Sequence, residues 1–157
     1  AVVISPSVPP ATTTFVILAM VTAVDTSVLL DALLDDAQNG SASMAALQLA
    51  AAQGQLVVSA VALAELVPVL PQGEASRFLT DWNLSFTPST EHVAMLAGEM
   101  YRSFLKRGGK RGRVVPDFLI AAHAQVLADR LLARDRGYYR DYFVQLPLWD
   151  PSRPEGF

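Results

Sequence analysis

The chain has 157 residues, no cysteine and a formal net charge of −3 at pH 7. This length favours one domain with a substantial core, and a hydrophobic fraction of 52% argues against disorder. The absence of cysteine excludes a disulfide framework, a thiolate zinc site and a cysteine nucleophile, and it is compatible with a reducing cytoplasm. With only two histidines, His92 and His123, a histidine-rich metal site is disfavoured.

The amino-terminal segment differs in composition from the rest of the chain. Its first part, AVVISPSVPPATTT, is rich in Pro, Ser and Thr and is typical of a loose lead-in. The apolar run FVILAMVTAV follows, but it is too short to span a bilayer, and no basic residue precedes it as in a signal peptide. We predict no membrane association. We predict that residues 1–19 are an extension or tag in which the first strand could begin, with Met20 as a natural start.

Strand patterns and helix patterns alternate through the remaining chain. The predicted strands are MVTAV at 20–24, LVVS at 56–59, NLSFTP at 83–88, RLLA at 130–133 and FVQL at 143–146. The predicted helices cover 27–36, 43–52, a segment after Ser59 that ends at Pro68, 71–82, 90–107 and 117–127. Ser59 could cap the third of these helices, and Pro116 is well placed for the first turn of the last one. This alternation predicts an α/β fold, with helices on both faces of a central, mainly parallel sheet. One domain is expected over residues 20–150, followed by a tail at 151–157.

Four acidic residues lie at the edges of separate apolar segments. Asp25 follows the first strand, Glu65 lies in the third helix, Asp117 opens the last predicted helix, and Asp135 follows RLLA. The functional crevice of a parallel sheet lies at the carboxyl ends of its strands, so we expect these four side chains to converge there. Hard cations such as Mg²⁺ and Mn²⁺ prefer carboxylate oxygens, and they activate water and stabilise phosphoryl charge. The pattern predicts a metal-dependent hydrolase.

Each acid also has a purely structural interpretation. Asp25 is well placed to cap the helix that follows it. Glu65 could be an exposed helical acid, and Asp117 lies in a first helical turn, where the helix dipole favours a negative charge. Asp135 could pair with a neighbouring arginine. Ser27 fits equally a capping residue and a hydroxyl that orients the carboxylate of Asp25.

The basic residues are distributed unevenly. All twelve lie from Arg77 onward, and six of them fall between residues 102 and 113, a window without an acid. Such a patch can attract phosphate, although a solvated helix end and loop would give the same pattern. The best candidates for phosphate contacts are Lys110, Arg111, Arg113, Arg134 and Arg136.

The ordered motifs resemble those of PIN-domain ribonucleases, and the chain as a whole is similar to a VapC-type toxin of a toxin–antitoxin pair. The resemblance covers about residue 20 to residue 145. It rests on AVDTSVLLDALL, VVSAVALAEL, RGGKRGRVVPDFLIAAHA and ADRLLARDRGYYRDYF. The most specific part is the stretch that ends in PDFLIAAHA, together with the following ADRLLARDRGYY.

The resemblance implies roles for individual residues. Asp25, Glu65, Asp117 and Asp135 would be the catalytic acids that hold Mg²⁺ or Mn²⁺, and Ser27 would orient Asp25. Some relatives carry a further acid at the position of Gly137 in this chain. Without that acid, a second metal ion would have one carboxylate ligand fewer.

The resemblance also implies a fold, an activity and partners. It implies a PIN-like three-layer α/β/α sandwich and an endoribonuclease that cleaves RNA phosphodiester bonds in the cytoplasm. It further implies that the protein forms a homodimer and that a cognate antitoxin blocks its site.

Two other classes of function remain open at the level of sequence. One is a phosphotransferase or phosphatase with an aspartate nucleophile, which would want an acid where this chain has Ser27 and a lysine near the site. The other is a non-catalytic interaction module of the same fold. A dinucleotide-binding domain is excluded, because no G-x-G-x-x-G motif follows the first strand.

Overall fold

The computed structural model describes residues 19–112 and 114–153. The strands are β1 Met20–Val24, β2 Gly54–Val58, β3 Leu84–Phe86, β4 Arg130–Leu132 and β5 Leu148–Trp149. The helices are α1 Thr26–Leu33, α2 Gly40–Gln53, α3 Ala60–Leu66, α4 Ala75–Asp81, α5 Glu91–Lys106, α6 Val115–Leu127 and α7 Tyr138–Tyr142, and a 3₁₀ turn covers Val67–Val69. All of the predicted amino-terminal extension except Ala19 lies outside the described residues, as do Arg113 and 154–157.

The described strands form one sheet in the order β3-β2-β1-β4-β5, and every pair in it is parallel. Helices cover both faces, so the expected three-layer α/β/α sandwich is confirmed. The local sequence explains this arrangement, because strands buried on both faces are continuous apolar runs. Val57 and Val58 of β2, Val24 of β1 and Leu131 of β4 are all at most 2% exposed.

The sheet order fixes where a site can form. β1 lies at the centre, paired with β2 on one side and with β4 on the other. In a sheet of this kind the crevice opens where the connections leave β1 in opposite directions. The backbone N–H of Asp25 donates to the carbonyl of Leu132 over 2.9 Å, which holds the ends of β1 and β4 together.

Aromatic side chains join the helices on one face. Phe118 of α6 is 1% exposed, and its ring centroid lies 5.5 Å from that of Tyr142 and 5.7 Å from that of Phe104. Tyr138 also packs edge-on against Phe104, at 5.7 Å. This aromatic cluster attaches α7 to α5 and α6, so the tyrosines of the GYYRDYF segment seal the edge of the core.

The carboxyl-terminal part differs from the sequence prediction. FVQL is not a strand, because residues 143–146 follow α7 as a turn and the last strand is Leu148–Trp149. Phe143 and Leu146 are nevertheless buried, so the apolar pattern that suggested a strand reflects core packing. The short helix α7 was not predicted. In the described part of the chain, no helix is both long enough and apolar enough to cross a bilayer.

A glycine at the start of β2 allows β1 and β2 to approach closely. A Cβ at Gly54 would lie 2.0 Å from the carbonyl oxygen of Met20, whereas a Cβ at Gly98 on α5 would meet nothing within 4 Å. We expect Gly54→Ala to lower the free energy of unfolding by roughly 2 kcal/mol or more, because backbone must shift to accept the methyl group. Gly98→Ala should instead be neutral or stabilising by up to about 1 kcal/mol. Urea denaturation of the two variants measures the difference, and equal stabilities would contradict this account of the β1–β2 approach.

Candidate functional site

A pocket of about 360 Å³ opens at the carboxyl ends of β1 and β4. Three of the four predicted acids line it, together with two of the five predicted arginines and lysines. Its lining residues are Asp25, Thr26, Ser27, Leu30, Glu65, Asp117, Arg134, Arg136, Tyr138 and Tyr139.

Asp25 lies at the base of this pocket and is 6% exposed. It caps α1, because its Oδ2 accepts from the backbone N–H of Ser27 at 3.2 Å and from the Ser27 hydroxyl. Its Oδ1 accepts from the hydroxyl of Tyr139 at 3.3 Å. Burial raises the pKa of Asp25 above its usual value, and the charge of Glu65 adds to the shift, while the hydrogen bonds oppose it. The capping and the orienting interpretations of Asp25 and Ser27 are therefore compatible.

Glu65 reaches the pocket from α3. Ser59 caps this helix as expected, since its hydroxyl oxygen accepts from the N–H of Ala62 at 3.2 Å. The carboxylate of Glu65 accepts from the hydroxyl of Thr26 at 2.6 Å. This contact ties the last turn of α3 to the first residue of α1, and so brings Glu65 beside Asp25.

Asp117 enters from the first turn of α6, where Pro116 initiates the helix as expected. Desolvation and the negative charges of Asp25 and Glu65 raise the pKa of Asp117 to about 6, although Arg136 opposes the shift. A carboxylate at this position would usually be favoured by the helix dipole. The raised pKa shows that burial and like charge outweigh that effect here.

Asp135 occupies a different position from the other three acids. Its side chain is 1% exposed and forms an ion pair of 3.0 Å with the Nε of Arg140 on α7. Its Oδ1 also accepts from the N–H of Gly137 at 2.8 Å, and it does not line the pocket. The expected convergence of four acids is therefore seen for three of them, because Asp135 holds the start of α7 instead.

Some of the predicted basic residues line the pocket, and others lie outside it. Arg134 and Arg136 line the pocket, whereas Lys110 and Arg111 are exposed on the loop before α6 and do not. The guanidinium of Arg134 forms two contacts with Asp31 of α1, Nε to Oδ2 at 2.7 Å and Nη2 to Oδ1 at 2.9 Å. Arg113 lies outside the described residues.

Three contributing residues were not singled out for these roles from the sequence. Thr26 holds Glu65, Tyr139 holds Asp25, and Asp31, which is 4% exposed, holds Arg134. The hydroxyl of Ser43 also donates to Asp31, at 3.1 Å. The sequence could have indicated Thr26 as a site residue, because it lies between Asp25 and Ser27 in the DTS motif. The other two contacts join residues more than a hundred positions apart, which no local pattern reveals.

The pocket suits a divalent cation by its chemistry. Two of its three carboxyl groups, Asp25 and Asp117, have raised pKa values, and a bound cation would relieve the repulsion that contributes to both shifts. Within residues 19–112 and 114–153, however, no three Asp, Glu or His side chains are arranged to hold one ion together. The carboxylates of Asp25 and Glu65 are instead hydrogen-bonded to neighbouring hydroxyl groups.

Comparison with protein families identifies the class to which this architecture belongs. The family model for the PIN domain matches residues 22–143, which include Asp25, Glu65, Asp117 and Asp135. The chain belongs to the PIN domain family. No curated protein sequence matches it significantly.

Solved structures with a similar fold come from bacterial complexes. VapBC2 from Rickettsia felis, bound to a promoter DNA fragment, is 22% identical with a TM-score of 0.64, and the match covers 83% of this chain and 100% of that one. VapBC-1 from nontypeable Haemophilus influenzae is 18% identical with a TM-score of 0.65, over 85% and 100% of the chains. A toxin–antitoxin complex from Klebsiella pneumoniae is 18% identical with a TM-score of 0.58, over 83% and 97%. At these identities the likeness concerns the fold.

The raised pKa of Asp117 has a consequence for stability without divalent cations. Because the folded state holds this proton more tightly than the unfolded chain, stability should fall as pH rises from about 4 to 6. We expect Asp117→Asn to be more stable than the wild type at pH 7 in EDTA, and equally stable near pH 4. Urea denaturation at the two pH values measures this. The control is Asp36→Asn, since backbone N–H donors lower the pKa of Asp36, and this variant should gain no stability at pH 7.

The ion pair between Asp135 and Arg140 makes a second prediction. We expect Asp135→Asn and Arg140→Gln each to destabilise the fold, and a double-mutant cycle to give a coupling of about 1 kcal/mol. Neither change should abolish Mn²⁺ binding, which calorimetry measures. If Asp135→Asn removed Mn²⁺ binding while Arg140→Gln preserved it, Asp135 would be a metal ligand and not a support for α7.

Proposed function

We propose that this protein is a metal-dependent endoribonuclease and the toxin component of a type II toxin–antitoxin pair. The observation that carries the proposal is the pocket in which Asp25, Glu65 and Asp117 meet at the carboxyl ends of β1 and β4, with the pKa of Asp117 raised to about 6. Membership of the PIN domain family supports a nuclease. A bound cation would relieve the repulsion among these carboxylates.

Asp25, Glu65 and Asp117 are the residues proposed to hold Mg²⁺ or Mn²⁺, since hard cations take carboxylate oxygens. The cation would supply activation of water and stabilisation of charge on the phosphoryl oxygens. Ser27 orients Asp25, and Thr26 orients Glu65. We assign Asp135, which the sequence placed among the ligands, to the support of α7 on the basis of its ion pair with Arg140.

Substrate binding is assigned to the arginines at the pocket. Arg136 is exposed there and lies close enough to Asp117 to lower its pKa, so it can neutralise a phosphate next to the acids. Arg134 is held by Asp31 and contributes a guanidinium of fixed orientation. Lys110 and Arg111 are exposed on the loop before α6, where they suit contacts with RNA outside the pocket.

The toxin assignment rests on the resemblance of the motifs and on the kind of complexes that share the fold. Those structures are described as VapBC and toxin–antitoxin complexes. On this basis we propose a cognate antitoxin as a protein partner, a homodimer as the assembly, and the cytoplasm, where cellular RNA is available, as the place of action.

The geometry disfavours the phosphotransferase alternative. A second acid would be needed two residues after Asp25, and that position is Ser27, whose hydroxyl donates to Asp25. A lysine would also be needed at the site, and neither Lys106 nor Lys110 lines the pocket. The non-catalytic module would account for the fold, but it gives no reason to gather three acids in one pocket.

Cleavage of end-labelled cellular RNA by the purified protein tests the proposal. We expect cuts in Mg²⁺ or Mn²⁺ that EDTA abolishes. Asp25→Asn and Asp117→Asn should each reduce the rate by about 100-fold or more, since a bound cation contributes several kcal/mol to transition-state stabilisation. Glu99→Gln, an exposed acid on α5, is the matched control and should cleave at the wild-type rate. Cuts that persist in EDTA or in Asp117→Asn would refute the assignment, and tight Mn²⁺ binding without cuts would leave the nuclease unsupported on the RNA used.

A further inference from the structure

The second tyrosine of α7 reaches the base of the pocket. Gly137, with φ of 102°, precedes the helix, and this left-handed conformation turns the chain so that Tyr139 points inward. The side chain is only 5% exposed, and its hydroxyl donates to Asp25 Oδ1 at 3.3 Å. The neighbouring tyrosines on the same helix, Tyr138 and Tyr142, pack instead against Phe104 and Phe118.

This contact completes the set of donors around Asp25. Its Oδ2 is held by the N–H and the hydroxyl of Ser27, both from α1, and its Oδ1 is held by Tyr139 from α7. Donors on both oxygens, from two separate elements, fix the rotation of the carboxylate about its χ2 angle. A carboxylate fixed in this way has less freedom to lose when it binds a cation.

We infer that Tyr139 is a positioning residue, which orients Asp25 for metal binding through its hydroxyl group. This inference rests on the proposed metal-dependent activity. It also gives Asp135 a connected role, because the contacts of Asp135 with Gly137 and Arg140 hold the turn and the helix that present Tyr139. Tyr139 itself touches neither substrate nor reacting atoms in this scheme.

The test compares two tyrosines of the same helix. Tyr139→Phe removes one hydroxyl and keeps the ring, and Tyr142→Phe is the matched control, since its ring lies in the aromatic cluster. Calorimetric titration with Mn²⁺ should give a dissociation constant about tenfold weaker for Tyr139→Phe and unchanged for Tyr142→Phe. The electron paramagnetic resonance spectrum of bound Mn²⁺ should change for Tyr139→Phe alone. Circular dichroism and thermal unfolding show that both variants are folded.

The outcomes separate this inference from the function on which it rests. Equal Mn²⁺ affinity and equal spectra for the wild type and both variants would overturn the role of Tyr139 while leaving the metal site intact. Equal weakening in the two variants would also overturn it, because the effect would then come from the packing of α7. A wild-type protein that bound no Mn²⁺ would overturn the proposed function and this inference together.

Discussion

The site depends on the burial of one carboxyl group, Asp25, at the end of the central strand. Removing a carboxylate from water is costly unless donors replace its hydration. Here the replacements come from the amino terminus of α1, from the Ser27 hydroxyl and from Tyr139. Because these donors belong to α1 and α7, which lie far apart in sequence, Asp25 couples the beginning of the domain to its carboxyl-terminal part. The pKa of Asp25 nevertheless lies above its usual value, because the effect of burial outweighs that of these donors.

The charged side chains around Asp25 keep the base of the pocket negative. Asp117 and Glu65 add negative charge to the pocket, and Arg134, a half-buried cation that could cancel it, is already paired with Asp31. Arg136 is exposed, and its positive charge offsets only part of the rise in the pKa of Asp117. The pocket thus combines negative charge at its base with positive charge at its rim, which is the arrangement that the proposed metal-dependent nuclease would need. If Arg134 paired with Asp117 instead, part of the negative charge at the base of the pocket would be neutralised.

Local sequence determined much of this architecture. β1, β2, the cap at Ser59 and the proline at the start of α6 were predicted, because each depends on an apolar run or on capping within a few residues. The placement of Asp25 and Asp117 follows from the same rules, since both lie at element ends. The orientation of Asp135 did not follow, because its partner Arg140 lies on α7, a five-residue helix that the local sequence pattern did not predict. The pairing of Arg134 with Asp31 spans 103 positions and depends on the fold as a whole.

The loop after β4, which carries Arg134 and Arg136 of the pocket, is held by buried polar contacts. Asp135 binds Arg140 and Gly137, while its own backbone N–H donates to Oδ2 of Asp150 at 3.2 Å. Asp150 is 3% exposed and also accepts from Ser152, so the residues after β5 are tied to this loop. Two buried carboxylates therefore hold the segment that carries Arg134 and Arg136. The same segment leads into α7, whose Tyr139 donates to Asp25. Asp135, which does not line the pocket, is thereby connected through α7 to Asp25 at the base of the pocket.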